Sequence, residues 1–574
     1  MDDYQAISNR QIASGILLLL MLMASILFAG SSGAAQAQTE MRYVITGQIF
    51  NEQDQPVDGA HIRLVSEGTS DSIVETETGE DGSWGLIFDW LPQGQLELLV
   101  ERQHYRSEEI LIDPDMHTQL EERGALILDG IKLERRVTGA FWAATLIFLA
   151  VLLVIAFERL HSTTAALAGL SAVFLFSVIG GAFNTDFFIY DFERALTYIN
   201  WEVIFLIMGM MILIAVIEGT GIFQWTAFQA YRLSRGHAWL LVLILMAITA
   251  VASALLDNFT TMLLMTPISL QIGLALGINP LAFIIPEVLA SNVGGITTLI
   301  GTPTNILIGA YAGIGFQDFL INQTVGVLFA MAGMAGYVIY HYRDELSKHP
   351  AGISERLYAR LEANARIRDP QALWKSGLVF VLVLVGFIVG ERFHVVPAVP
   401  AIVGATLLLV WLRPDVHAMI RAVDWTTLVF FMALFMVVGA VQEVGFISTI
   451  AVTMAELIGE NLILGIAVIV FGVGTLSTAI ANIPLAASML PVVEFLSGSI
   501  PGATSKVLYY SLSMGAAMGG NGLLIGGEAN LVTAGIASQA GSPISFKEFL
   551  KVGLPVTYIT LVAGFLWLLL RFGI

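Results

Sequence analysis

Apolar runs of membrane-spanning length recur along most of this chain, and no other feature limits its fold so strongly. Val137–Glu158, Trp239–Leu256, Gly377–Gly390, Val396–Trp411 and Val552–Leu570 reach or approach the ~20 residues that carry an α-helix across a bilayer. Hydrocarbon offers no hydrogen bonds to a bare backbone, so chain at that depth must be helical or close into a barrel. Of the 574 residues, 56% are hydrophobic and 13% are charged. That charged share is about half of what a soluble domain carries. The expected class is an all-α polytopic membrane protein in the lipid bilayer. Cysteine is absent, which excludes a disulfide framework and thiolate metal ligands.

The N-terminal part departs from this pattern. Met1–Ala37 reads as a secretory signal, with Arg10 before the apolar stretch Ile12–Phe28 and small residues at Ala35-Gln36-Ala37; an uncleaved anchor is the alternative. Residues 38–136 carry short β-rich runs such as "YVITGQIF", "AHIRLV" and "LELLVER" between Gly, Pro, Asp and Asn turns, which predicts a small β-sandwich. This segment holds 21 Asp and Glu against 8 Lys and Arg, most of the net charge of −19, so nucleic acid is not an expected partner. His61, His104 and His117 are too scattered to read as metal ligands. The pattern "VITGQIFNEQDQPVDGAHIRLV…TGEDGSWGLIF" resembles the carboxypeptidase-regulatory-like domains. Behind a signal, such a domain is expected outside the cytoplasm as a passive folding, docking or gating module.

From Val137 onward the chain is membrane domain, divided once by a polar stretch at His341–Lys375. Arg343, Lys348, Arg356, Arg360, Arg366, Arg368 and Lys375 place that linker (344–375) in the cytoplasm by the positive-inside bias. The halves on either side, 137–343 and 376–574, repeat each other. Trp201, Gly221, Asn258 and Pro267 recur as Trp425, Gly445, Asn482 and Pro491; Gly294, Gly295, Gly301 and Asn305 recur as Gly519, Gly520, Gly526 and Asn530. Chance likeness between apolar helices aligns Leu with Val. It does not align Trp, Gly, Asn and Pro in order. With the β-domain outside, Trp201 starts its helix from the outer face, whereas Trp425 follows Arg413 and Arg421 and starts from the inner one. The repeats are therefore expected to be inverted, the plan common among secondary transporters.

"SNVGGITTLIGTPTNILIG" (Ser291–Gly309) and its counterpart around "GNGLLIGGEAN" (Gly520–Asn530) are polar, glycine-rich backbone inside an apolar protein. Such chain must be buried in protein or line a watery cavity. Equivalent broken helices in the two halves point to a transport site. "DNFT" (Asp257–Thr260) and "ANIP" (Ala481–Pro484) read as tips of re-entrant hairpins. The candidate ion- and substrate-binding residues are Asp257, Asn258, Thr260, Ser291, Asn292, Thr297, Thr298, Thr302, Asn305, Asn482, Asn521, Glu528 and Asn530. Na+ suits Asn258, Thr260, Asn305, Asn482 and Asn530, since amide and hydroxyl oxygens with free carbonyls can coordinate it. Carboxylates in spans are rare and usually functional, which singles out Asp257, Glu287 and Glu528 for coupling to Na+ or H+. Glu202, Glu218 and Glu443 lie near span ends, where an interfacial charge costs little. No Lys or Arg lies within these motifs, so a substrate anion would rely on helix ends and hydroxyls.

"LDNFTTMLLMTP", "EVLASNVGGITTLIGTPTNILI" and "GGNGLLIGGEANLVTAGIA" resemble the ion-transporter superfamily of arsenite permeases, D-type Na+/H+ antiporters, citrate and divalent-anion symporters and the melanosomal P-protein. The P-protein and arsenite-permease branch is nearest. The resemblance implies re-entrant hairpins, a scaffold that forms a homodimer, an elevator motion of the site-bearing region, and a multi-pass place in the plasma (inner) membrane. Thr302 stands where many relatives in that branch have Asp, and Ala481 where sodium/proton antiporters carry Asp. Three functions are thereby open: an anion transporter coupled to Na+ or H+, a cation/proton antiporter, and a membrane receptor whose β-domain binds a ligand. The duplicated broken helices argue against the receptor. No Walker-type run appears for an ATP-driven pump, and no His sits in the motifs to serve an intramembrane enzyme.

Overall fold

The structure, a computed structural model, describes residues 42–52, 54–66, 72–91, 94–157, 159–347, 362–363 and 365–574. The expected signal at Met1–Ala37 and the middle of the expected linker lie outside the described residues. The chain divides into two units between Arg136 and Val137.

In the first unit, alternating side chains build strands with one buried face. Its strands are β1 (Tyr43–Asn51), β2 (His61–Ser66), β3 (Ser72–Glu77), β4 (Ser83–Phe88), β5 (Leu96–Glu101), β6 (Glu108–Ile112) and β7 (Ala125–Leu133), with helix α1 (Pro114–Arg123) before the last. Trp84, Leu86 and Phe88 point inward from β4, and Leu96, Leu98 and Val100 from β5. The sheets run in the orders β4-β1-β7 and β3-β2-β5-β6, with β1 and β7 parallel and the other pairs antiparallel. Both contribute to one apolar core. The turn before β4 closes through Asp81, whose Oδ1 accepts from Ser83 N–H (3.0 Å) and Oγ–H (2.6 Å). Gly82 follows in left-handed backbone at φ +72°, and a Cβ there would stand 2.5 Å from the Ile49 carbonyl oxygen. Buried Thr78 ties this turn to the preceding hairpin by donating to the Val57 carbonyl (2.7 Å) and accepting from Ala60 N–H (2.8 Å).

The second unit is helical. Among the described residues nine helices are long and apolar enough to cross a membrane. After α2 (Gly139–Ala156) and α3 (Ser162–Phe183), the first repeat runs α4 (Trp201–Gly219), α5 (Ile222–Leu233), α6 (Ala238–Leu255), α7 (Asn258–Leu276), α8 (Leu281–Gly294), α9 (Pro303–Ala312) and α10 (Phe316–His341). α11 (Pro370–Gly390) and α12 (Ala398–Leu412) lead to the second repeat. It runs α13 (Trp425–Glu443), α14 (Phe446–Ile458), α15 (Leu462–Ser477), α16 (Asn482–Ser499), α17 (Val507–Gly519), α18 (Glu528–Gln539) and α19 (Phe546–Phe572). α15 carries a π-helical stretch at Val468–Val473. The equivalence extends to backbone detail: Gly221 and Gly445 open α5 and α14 in the same left-handed conformation, φ +82° and +91°.

Each repeat contains a span broken in the middle. α8, with 14 residues, is about 21 Å long, short of a ~30 Å hydrocarbon core. The chain then unwinds and resumes as the 10-residue α9. α17 and α18 do the same with 13 and 12 residues. Glycine makes the breaks possible because backbone meets backbone there. A Cβ on Gly301 would lie 2.3 Å from the Gly295 carbonyl oxygen and 2.8 Å from that of Ser253; on Gly526 it would lie 2.7 Å from the Gly520 oxygen and 3.0 Å from that of Thr478.

Candidate ion-binding site

An unwound segment buried in an apolar protein must find partners for its freed carbonyls. Here one asparagine in each repeat supplies them. The side-chain NH2 of Asn305 donates to the carbonyls of Ile296 (3.1 Å) and Thr298 (2.8 Å), with a longer contact to Gly295 (3.4 Å). In the second repeat Asn530 donates to Gly520 (2.8 Å) and Leu523 (3.1 Å). Each of these amides is in turn held from the opposite repeat. Asn305 Oδ1 accepts from Ser513 Oγ (2.6 Å), which itself accepts from Gln323 (2.9 Å). Asn530 Oδ1 accepts from Asn292 (3.1 Å).

A hydroxyl beside each hairpin tip is duplicated as well. Ser253 Oγ donates to the Ser291 carbonyl (2.8 Å), and Ser477 Oγ to the equivalent Ala516 carbonyl (2.7 Å). These bonds dock each hairpin on its broken helix. In the first repeat they continue into a chain of amides. The single Ser253 hydroxyl proton is shared between the Ser291 carbonyl and Asn258 Oδ1 (2.7 Å), Asn258 donates to Asn292 Oδ1 (3.0 Å), and Asn292 donates to Asn521 Oδ1 (2.8 Å) as well as to Asn530. Asn521 closes the chain on the Leu289 carbonyl (3.3 Å).

Beside this network lies a cavity of about 50 Å³, room for a few waters or a small ion. Asp257, Asn258, Asn292, Asn482 and Glu528 line it, so five of the sequence-derived candidates share one space. Asp424, which the sequence reading missed, lines it too. Asp424 caps α13 by accepting from Thr426 and Thr427 N–H (3.0 and 3.2 Å), while its second oxygen accepts from the Thr427 hydroxyl (2.6 Å). Asp257 caps α7 through Thr260 N–H (2.8 Å). Three carboxylates thus converge on the cavity, and no Lys, Arg or His is among its lining residues. No group of three or more His, Cys, Asp or Glu among the described residues is placed to hold a metal ion, so the carboxylates face the space without closing on a common point.

The two tips differ in one respect. Asn258 is bonded on both ends of its amide, whereas the Asn482 side chain has no hydrogen-bond partner among the described residues. Nor does any side chain cap α16 at Ala481 or α18 at Gly527, so the first N–H groups of both helices are left without a side-chain acceptor beside the cavity.

The remaining candidates lie off the cavity. Thr297 Oγ1 donates to the Gly294 carbonyl (2.7 Å) and Thr298 Oγ1 to that of Ala254. Thr302 caps α9 by accepting from Asn305 N–H (3.0 Å). Thr260 contributes its N–H to Asp257, and Ser291, Asn305, Asn521 and Asn530 belong to the supporting network. Glu287, fully buried on α8, accepts from Ser269 Oγ (2.7 Å), and its second oxygen has no partner among the described residues.

Two equivalent broken spans and two hairpin tips around one ion-sized cavity define a membrane transporter. More particularly, the chain belongs to the CitMHS family, described as citrate transporter, which its residues 152–506 match. It is 36% identical over 431 residues to a 46 kDa membrane protein of Mycobacterium leprae and, at the same identity and length, to an uncharacterized transporter of Mycobacterium tuberculosis; each match covers 75% of this chain and 98% of the relative. The human P protein is 32% identical over 505 residues, 74% of this chain and 59% of that protein. Among solved structures, the YdaH transporter of Alcanivorax borkumensis matches 75% of this chain and 99% of its own at 15% identity and a TM-score of 0.46.

Proposed function

We propose that this chain is a secondary active transporter that moves a small inorganic or organic anion together with Na+ or H+. One observation carries the reading: the cavity sets carboxylates and uncapped helix N-termini side by side. Asp257, Asp424 and Glu528 favour cations. The N–H groups opening α16 and α18 favour an anion. Filled by an anion alone, the space would set like charges together; filled by anion and cation, the charges compensate, which is the requirement of a symporter. Asn258 and Asn482 supply the amide oxygens for Na+. The region of α6–α9 and α15–α18 moves as an elevator against a homodimeric scaffold in the plasma (inner) membrane, with the β-domain outside. The three carboxylates without a basic partner also favour a second reading, a cation/proton antiporter.

Flux in proteoliposomes under imposed Na+ or pH gradients, across citrate and a panel of other anions, separates the two. Anion uptake driven by either gradient supports symport. Na+/H+ exchange with no anion dependence supports the antiporter. No gradient-driven flux of any kind overturns both.

A further inference from the structure

The residues around the ion cavity fall into two sets. Those from the region that carries the hairpins and broken helices include repeat-related pairs: Asn258 with Asn482, Phe259 with Ile483, and Pro303 with Glu528. Those from α4 and α13 are one-sided. Ile207, Met210, Met211 and Ile214 come from the middle of α4, and Asp424 and Thr427 from the start of α13. Their counterparts, Phe431, Leu434, Phe435 and Val438 on α13 and Asn200 and Val203 at the start of α4, are not among the lining residues. Helix packing is one-sided in the same sense. α9 packs on α4, and α16 on α13, with no comparable contact between the counterparts α18 and α13 or α7 and α4.

Exchanging α4 and α13 is not neutral in charge. Asn200 caps α4 by accepting from Val203 N–H (3.2 Å), just as Asp424 caps α13 through the equivalent Thr427 N–H (3.2 Å). One cap is an amide and the other a carboxyl. Asp424 is also tied to α4, its N–H donating to Met211 Sδ (3.4 Å). From there its charge acts on both Asp257 and Glu528. Those two are the titratable groups that face it across the cavity, since α4, α8, α9 and α16 line the space with none.

We propose that the observed arrangement is one of two end states, and that Asp424 and Asn200 make the two unequal toward ions. Inverted repeats generate the second state by exchanging the roles of α4 and α13. In the observed state Asp257 and Glu528 share their space with the fixed Asp424, three carboxyls in all. In the other, the moving region has left Asp424 behind and α4 offers it the Asn200 amide instead. A cation is therefore held more tightly, and an anion more weakly, in the observed state. By the same differential affinity, added cation or proton shifts the population toward that state. The inference rests on the reading of the chain as a secondary ion transporter.

The test uses the full-length protein in proteoliposomes. The chain has no cysteine, so introduced pairs report each state without background. Met210→Cys/Ile306→Cys spans α4 and α9 in the observed state, and Leu434→Cys/Leu531→Cys is its counterpart for the other. Both pairs are expected to be bridged by a short thiol cross-linker. Na+ added at constant pH, or a lowered pH without Na+, is expected to raise the first yield at the expense of the second. Asp424→Asn is expected to lose most of that shift, and Asp424→Asn/Asn200→Asp to reverse it. Asparagine and aspartate are both good caps, so neither change threatens its helix. An ion response unchanged in Asp424→Asn, or no response to either cation, overturns the proposal. So does failure of the second pair to cross-link in protein that still shows gradient-driven flux, which leaves the transport reading standing. Absence of any gradient-driven flux in the unmodified chain overturns that reading, and this inference with it.

Discussion

Asn258 and Asn482 hold equivalent positions at the tips of two repeat-related hairpins, yet among the described residues only the Asn258 side chain is hydrogen-bonded, to Ser253 and Asn292. Equal sequence positions therefore carry unequal tasks: one amide is part of the frame, the other faces the cavity unengaged. Asn482→Ala is expected to raise the half-saturating coupling-ion concentration with little change in Tm. Asn258→Ala is expected to lower Tm as well, because it strands donors and acceptors worth about 1–3 kcal/mol each. Flux titrations and thermal unfolding of the two variants check this. Equal effects on both readouts would remove the distinction.

Asn305 and Asn530 are expected to be among the least replaceable side chains. Leucine at either leaves two or more buried carbonyls without donors, at about 1–3 kcal/mol apiece. Ser513→Ala, which removes the outer support of Asn305 and the acceptor of Gln323 but leaves the unwound carbonyls clasped, is expected to cost less than Asn305→Leu. Tm values in one detergent rank the three.

Gly301→Ala and Gly526→Ala are expected to abolish flux, since the added carbon would collide with backbone oxygens that cannot swing away. Gly535→Ala in α18, where nothing lies within 4 Å, is the control and is expected to be neutral or slightly stabilising.

Asp424→Asn keeps the cap on α13 and removes one of three carboxyl groups facing the cavity. It is expected to weaken the dependence of flux on the coupling cation while leaving expression intact. Unchanged cation dependence would assign Asp424 to capping alone.

In the β-unit, the Ser83 hydrogen bonds hold the exposed Asp81 carboxyl below its ordinary value. A depressed carboxyl stabilises the turn above its unfolded pKa and loses that contribution as pH falls through the folded one. The Asp81–Ser83 turn is thus expected to loosen only in acid, below the usual Asp range, and Asp81→Asn to abolish that dependence; NMR of a fragment spanning residues 38–136 reads both. Deleting Gln38–Leu133 behind an intact signal is expected to leave flux measurable.

Much of this site was legible because glycine and asparagine are outliers among apolar spans, and their duplication ruled out accident. The clasp that Asn305 and Asn530 place on the unwound chain follows from the same residues that marked it. Other parts could not be read. Asp424 stands before a helix, where aspartate is an ordinary cap, and only the fold turns it toward Asp257 and Glu528. The meeting of Asn292 with Asn521 and Asn530 joins positions more than two hundred apart. Thr297, Thr298 and Thr302 read as ion ligands, but a hydroxyl beside irregular backbone finds its nearest partner there, and each one does.

The bare second tip has a consequence for how such a protein can change. The Ala481 side chain caps no helix, and among the described residues the Asn482 side chain holds no partner, so replacing either leaves the frame standing. At the first tip any replacement first loosens the architecture. A lineage under pressure to accept a different ion would find its tolerated variants at 481 and 482, with Asp257 and Asn258 kept as the fixed reference against which the new selectivity is set.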